Sequence, residues 1–279
     1  MITPTQIADQ FARWLVPEQR RRLESLRYDR GSHGFDPFGL HPSWVAASLA
    51  LHGAIYDRYF RVQSIGSENL PANGRAILVA NHGGELPVDG LMLWTDVVRH
   101  TDPPRVPRML FDQFVSLLPF VSTIYARGGA VPGCRDNVHR LLERDELVGI
   151  FPEGTTGIGK PLAQRYRLQD WRVGHAEMAI RHRAPVIPAA IVGPDEQAPL
   201  TVRLPLHAFG APWVPVSLLP LPLPVRYHIR YGAPILLHER FEVRDADDPA
   251  AVAEASEITR EAVQALLDRG VAERKGIFA

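Results

Sequence analysis

Five consecutive apolar residues, Ala76-Ile77-Leu78-Val79-Ala80, stop abruptly at Asn81-His82-Gly83-Gly84. Such a run, ended by two glycines, reads as a buried strand entering a tight turn. Asp89 then opens a predicted helix over Gly90 to Val98. A His leaving a strand and an Asp starting the next helix can meet across the turn. The carboxylate can then fix the imidazole tautomer and stabilise the imidazolium, which suits the pair to taking a proton from a hydroxyl. A His that merely packs and an Asp that merely caps its helix would look the same in these residues alone.

The rest of the chain repeats the pattern. Strands are predicted at Met109 to Phe111, Thr123 to Arg127, Leu147 to Phe151, Pro185 to Val192 and Val225 to Tyr231. Between and after them, helices are predicted at Arg135 to Arg144, Trp171 to His182 and Pro249 to Leu267, with a short helix or turn at Gln113 to Phe120. Alternation of this kind implies an α/β fold, a mixed, largely parallel sheet flanked by helices. Functional groups then collect at strand ends, here after residues 80, 127 and 151. Ahead of the first strand, Thr5 to Arg27 (broken at Pro17) and Ser43 to Phe60 read as helices, separated by a Gly/Pro/His loop at Gly31 to Pro42. Residues 1–60 are therefore expected to be a helical segment packing on the domain or on a membrane, and residues 61–279 the α/β domain, the two forming one structural unit.

Composition narrows the function. The 279-residue chain carries no net charge, which argues against a nucleic-acid partner. A single cysteine, Cys134, excludes an intramolecular disulfide and a Cys-based metal cluster. Nothing near Cys134 marks an activating His, so it reads as a packed thiol. Residues 1 to 30 lack the apolar core of a signal peptide, and no stretch has the length of a transmembrane helix.

Two further stretches carry chemistry. Phe151-Pro152-Glu153-Gly154-Thr155 places a carboxylate at a strand end between proline and glycine, where it can bind a hydroxyl or order neighbouring cations. The amides of Gly154 and Thr155 could face an anion. Gly129 to Arg135, with Arg127 just before it, offers permanently charged planar donors for phosphate.

Taken together, Asn81-His82 with Asp89, Gly129 to Arg135, Phe151 to Thr155 and Val186-Ile187-Pro188 resemble, in order and separation, the glycerolipid acyltransferases. These are enzymes such as lysophosphatidate and glycerol-3-phosphate acyltransferase. The resemblance spans residues 60 to 235. Gly157 to Lys160, Arg165-Tyr166, Leu168-Gln169, Gly174 and Ala184 to Pro188 leading to Val192-Gly193 are similar to a bacterial subgroup. The resemblance implies acyl transfer from acyl-CoA or acyl-carrier protein to a hydroxyl of a lipid or lysolipid acceptor. It implies His82 as general base aided by Asp89, and no metal, bound cofactor or covalent enzyme intermediate. Arg135 or Arg127 would meet the acceptor phosphate, and Glu153, Gly154, Thr155 and Lys160 complete the substrate-binding set.

The usual motif has four residues between His and Asp; Gly83 to Val88 makes six, and leaves Glu85 as a rival to Asp89. A lipid acceptor with no spanning segment implies a cytoplasmic protein lying peripherally on the inner face of the membrane. Ile7, Phe11, Trp14 and Leu15 with Arg20 to Arg22 form one candidate contact. The proline-rich apolar stretch Phe209 to Val225 forms another, or lines an acyl groove.

Overall fold

A computed structural model of the chain describes residues 3–84, 87–199, 201–204 and 214–279. In chain order the elements are α1 (Pro4–Ala12), α2 (Pro17–Glu24), α3 (Pro42–Ala54), β1 (Gln63–Ile65), β2 (Ala76–Ala80) and α4 (Val88–His100). There follow β3 (Arg108–Phe111), α5 (Val121–Arg127), β4 (Val131–Pro132), α6 (Arg135–Glu143), β5 (Leu147–Ile150) and α7 (Gly174–His182). Last come β6 (Val186–Val192), β7 (Thr201–Leu204), β8 (Val214–Ser217), β9 (His228–Tyr231) and α8 (Pro249–Glu273).

Seven strands form one sheet in the order β1-β9-β6-β2-β5-β3-β4, and β7 and β8 pair separately. The five strands β6, β2, β5, β3 and β4 are mutually parallel, and β9 joins β6 antiparallel. The mixed, mostly parallel sheet flanked by helices is the fold the alternating pattern implies. Strand β2 shows why it is continuously apolar. Ala76, Leu78 and Ala80 face a core shared with α3 and α4, while Ile77 and Val79 face a second core under α6 and α7. A strand covered on both faces has no side for polar residues.

Parallel strands end on the same edge. That edge receives Asn81-His82 from β2, Asp112 from β3, Gly133 to Arg135 from β4, Phe151 to Glu153 from β5 and Gly193 to Gln197 from β6. Helix α7 runs back along the sheet, so its N-terminus opens there too, and the Arg172 amide just before it donates to the Pro152 carbonyl. The helix starts at Gly174, three residues later than the sequence pattern suggests.

Thr123 to Arg127 is helical rather than a strand. The amides of Ile124 and Gly128 donate to Phe120 and Ile124, and the sheet position beside β3 goes to β4. Thr, Ile and Tyr favour strands only where a partner strand is within reach. The strand-end site expected after residue 127 is therefore a helix end.

The N-terminal helices share the core of the domain: Leu15, Val45, Leu49 and Tyr56 sit in one cluster with Leu78 and Ile187. Leu15 is buried, whereas Trp14 is 67% exposed and Ile7 44% exposed. Arg22 donates to the carbonyls of Arg99 and Thr101, so only Arg20 and Arg21 of that cluster face outward. The exposed face is thus narrower than the sequence suggested. Phe209 to Trp213 lie outside the described residues, while Leu218 and Leu221 are exposed.

The loop from Gly31 to Pro42 is fastened by a buried ion pair. Arg108 of β3 meets Asp36 and lies 3.0 Å from Glu146, with the Arg108 side chain only 2% exposed. Removing one partner of a buried pair strands the other charge, which costs about 3–5 kcal/mol. Arg108→Ala should lower the unfolding free energy by about that amount, read from the denaturant midpoint at unchanged slope.

Candidate active site

Asn81 ends β2 by acting as an extra sheet partner: its amide group exchanges hydrogen bonds with the backbone of Ile191 at 2.7 and 3.1 Å. The chain then turns through His82, Gly83 and Gly84. Both glycines are needed for close approach. A Cβ on Gly83 would lie 2.4 Å from Asp195 Oδ1, and one on Gly84 would lie 2.2 Å from Gln197 Nε2 at a φ of +81°.

Asp89 binds the turn from α4. Its Oδ2 accepts from His82 Nδ1 at 2.6 Å and from the Gly83 amide at 2.9 Å, and its Oδ1 accepts from the Gly90 amide at 2.7 Å. The carboxylate is fully buried at a helix N-terminus, a position that favours negative charge. One group in the first turn of α4 therefore binds both a free amide of that turn and the His. A carboxylate on Nδ1 places the proton there and leaves the Nε2 lone pair available. Nε2 has no hydrogen-bond partner among the described residues, and the ring lies on Phe151 with centroids 4.4 Å apart and planes at 15°. Glu85 lies outside the described residues.

Burial works against protonating His82. The Asp89 charge, its hydrogen bond and the nearby Glu153 outweigh it and hold the imidazole above its ordinary pKa. The imidazole is consequently more basic than a free one, and is neutral only above that raised value.

Glu153 sits beneath the turn. Its Oε1 accepts from the His82 amide at 2.9 Å and its Oε2 from the Gln169 amide at 2.8 Å. Lys160 Nζ stands 3.4 Å from Glu153 and 3.5 Å from Asp195, and the side chains of all three residues are at most 2% exposed. Both residues expected to bind substrate thus have their polar atoms turned inward. Gly154 uses its amide on the Phe151 carbonyl, and Thr155 beside it is half-buried.

The two arginines part company. Arg127 lies over the Phe35 ring at 3.9 Å and donates to the Gly39 carbonyl, holding the Gly31–Pro42 loop. Arg135 starts α6 on the His82 edge, is 73% exposed, and pairs with Glu177 of α7. A third cation, Arg172, escaped the sequence reading. Its guanidinium covers Gly154, within 3.1–3.3 Å of where a Cβ would stand, is 66% exposed and is steadied by Asp112 at 3.2 Å. Its only sequence signal was an Arg two residues before Gly174, in a stretch read as the start of a helix. Among the described residues no cluster of three His, Cys, Asp or Glu side chains could hold a metal ion.

This arrangement defines a class. A parallel sheet carries a His–Asp dyad at the end of one strand and a buried Glu at the end of its neighbour, with exposed arginines on the same edge. Residues 61–192 match the model of the acyltransferase family, described simply as Acyltransferase. Uncharacterized proteins of Mycobacterium tuberculosis and Mycobacterium leprae are each 38% identical to the chain over 89% of its length, covering 72% and 71% of the relatives. A bovine protein named DGAT1/2-independent enzyme synthesizing storage lipids is 26% identical over 78% of this chain and 61% of its own. The crystal structure of PlsC, the 1-acyl-sn-glycerophosphate acyltransferase of Thermotoga maritima, superposes with a TM-score of 0.55 at 15% identity, covering 84% of this chain and 83% of that one. The chain belongs to the acyltransferase family, the family of the glycerolipid acyltransferases.

Gly157 packs directly against His82 itself. A Cβ there would lie 2.8 Å from His82 Cβ and 2.9 Å from Glu153 Cβ, at an ordinary φ of −70°. Gly157→Ala should therefore fold while displacing His82. Displacements of this size cost up to about 10²-fold in turnover. Steady-state turnover beside an unchanged circular dichroism spectrum checks this.

Proposed function

We propose that the protein moves a fatty acyl group from a thioester donor, acyl-CoA or acyl-carrier protein, to a hydroxyl of a glycerolipid such as lysophosphatidate. The observation that carries this reading is the open Nε2 of His82, backed through Nδ1 by Asp89 at 2.6 Å. Nε2 takes the hydroxyl proton as the oxygen attacks the thioester carbonyl. The carbon–sulfur bond then breaks, and the departing sulfur receives the proton. A thioester already has a good leaving group, so a positioned base supplies the help the reaction most needs. Arg172 and Arg135 are the two exposed cations suited to an acceptor phosphate, and both keep carboxylate partners that hold them extended.

His82→Ala should leave the fold intact and lower turnover by at least about 10²–10⁴-fold, since general-base help and positioning are both lost. Release of free thiol from acyl-CoA, with and without lysophosphatidate, measures it. Turnover near wild type in the folded variant would remove His82 from the reaction. The pH profile has a defined sign. The base must be neutral, so kcat/KM rises with pH through a pKa above the ordinary 6.5 of histidine. Asp89→Asn removes the raising charge, so it should lower the rate and move that limb to lower pH. A limb that stays in place would separate Asp89 from the base.

The reading places the enzyme peripherally on the cytoplasmic face of a membrane. In support, among the described residues no helix is long and apolar enough to cross a membrane, while Trp14, Ile7, Leu218 and Leu221 are exposed. Sedimentation with anionic vesicles should show reversible binding, partly weakened by salt and reduced by Trp14→Ser. Wild-type protein left in the supernatant at low salt would favour a soluble acceptor.

A further inference from the structure

Lys160 and Asp195 are the two charges of the site that the proposed reaction does not use. Their burial is costly. An ammonium or carboxylate removed from water persists only where partners compensate it. Lys160 is compensated twice, by Glu153 at 3.4 Å and Asp195 at 3.5 Å. Asp195 is compensated less well: its Oδ2 accepts from the Tyr166 amide at 2.8 Å, but its buried Oδ1 has no hydrogen-bond partner and faces the α-carbon of Gly83. One ammonium and two carboxylates leave one net negative charge beneath the turn that carries His82.

A structural role alone does not call for this arrangement. Glu153 could hold the His82 and Gln169 amides with no cation at hand, since carboxylates accept amide hydrogen bonds readily. Nor can the ammonium reach substrate, because its side chain is 1% exposed. What it does do is offset part of the negative charge that would otherwise collect around the imidazole.

We infer that Lys160 and Asp195 are positioning residues: acting through Glu153 and the His82 turn, they set the charge under the ring and so its strength as a base. The other groups facing His82 have their own sources. Asp89 of α4 holds Nδ1, and Phe151 is a neutral ring. Tyr125 of α5 and Tyr227 ahead of β9 stay neutral, because burial first and then Asp89 push their phenols upward. Arg172 is exposed and paired with Asp112. The direction is consistent with charge: Glu153 raises the His82 pKa and Lys160 lowers it. A unit charge within about 10 Å in such surroundings moves a pKa on the order of one unit.

This inference rests on His82 as the base, and its test separates the two. The test compares kcat/KM against pH for the whole protein and three variants, with acyl-CoA and lysophosphatidate as substrates. Lys160→Met leaves two buried negative charges, so the acidic limb should move up by on the order of half a pH unit or more. Asp195→Asn leaves Glu153 balanced by Lys160, with no net charge, so the limb should move down by a similar amount. The double variant Lys160→Met/Asp195→Asn restores a single negative charge, and its limb should return close to wild type. Where Lys160→Met alone does not fold, Asp195→Asn and the double variant decide. Limbs that coincide across the variants, or that move in the opposite sense, overturn the inference. If those limbs coincide while His82→Ala is inactive, the base reading stands and only the charge-setting role falls. If His82→Ala keeps its turnover, both fall.

Discussion

The Asp89 carboxylate accepts three hydrogen bonds in a place no water reaches: from the imidazole of His82, the amide of Gly83 and the amide of Gly90. Such saturation offsets the cost of burying a carboxylate, and a helix N-terminus supplies donors and a favourable dipole for it. Helix, turn and imidazole ring are therefore fixed together. Moving any one of them would leave a buried negative charge short of a donor.

The second carboxylate works from the opposite side. Glu153 holds the backbone of His82 where Asp89 holds its ring, so the residue is gripped at two ends by neighbouring structural elements. β2 and β5 lie side by side in the sheet, and their ends must arrive together for this to happen. Glycines at 83, 84 and 157 let backbone and side chain come within the distances required. The precision a base needs thus comes from rigid strand ends rather than from the loops.

Much of this was legible beforehand, for physical reasons. Ala76 to Ala80 could be read as a buried strand because nothing polar interrupts it, and His82 and Asp89 could be paired because a turn and a helix start are local events. The two extra residues between them did not matter, since His82 and Asp89 still meet at 2.6 Å. The fate of Thr123 to Arg127 was not legible: its β-favouring residues form a helix because a later segment takes the strand position. Nor was the inward facing of Lys160 and Glu153, which depends on Asp195 at the end of β6 and on the Gln169 amide in the stretch ahead of α7. Arg172 was missed because an exposed Arg carries no pattern until its neighbour Gly154 is seen in space.

The central claim is that His82 carries its proton on Nδ1 and presents a basic Nε2 to substrate. Nitrogen-15 NMR of the histidine side chains, with His82 assigned by comparison with His82→Gln, tests it directly. The result expected is a neutral Nδ1–H tautomer that takes up its second proton above the ordinary histidine value of about 6.5. A neutral Nε2–H tautomer, or a His82 that titrates below that value, would contradict it.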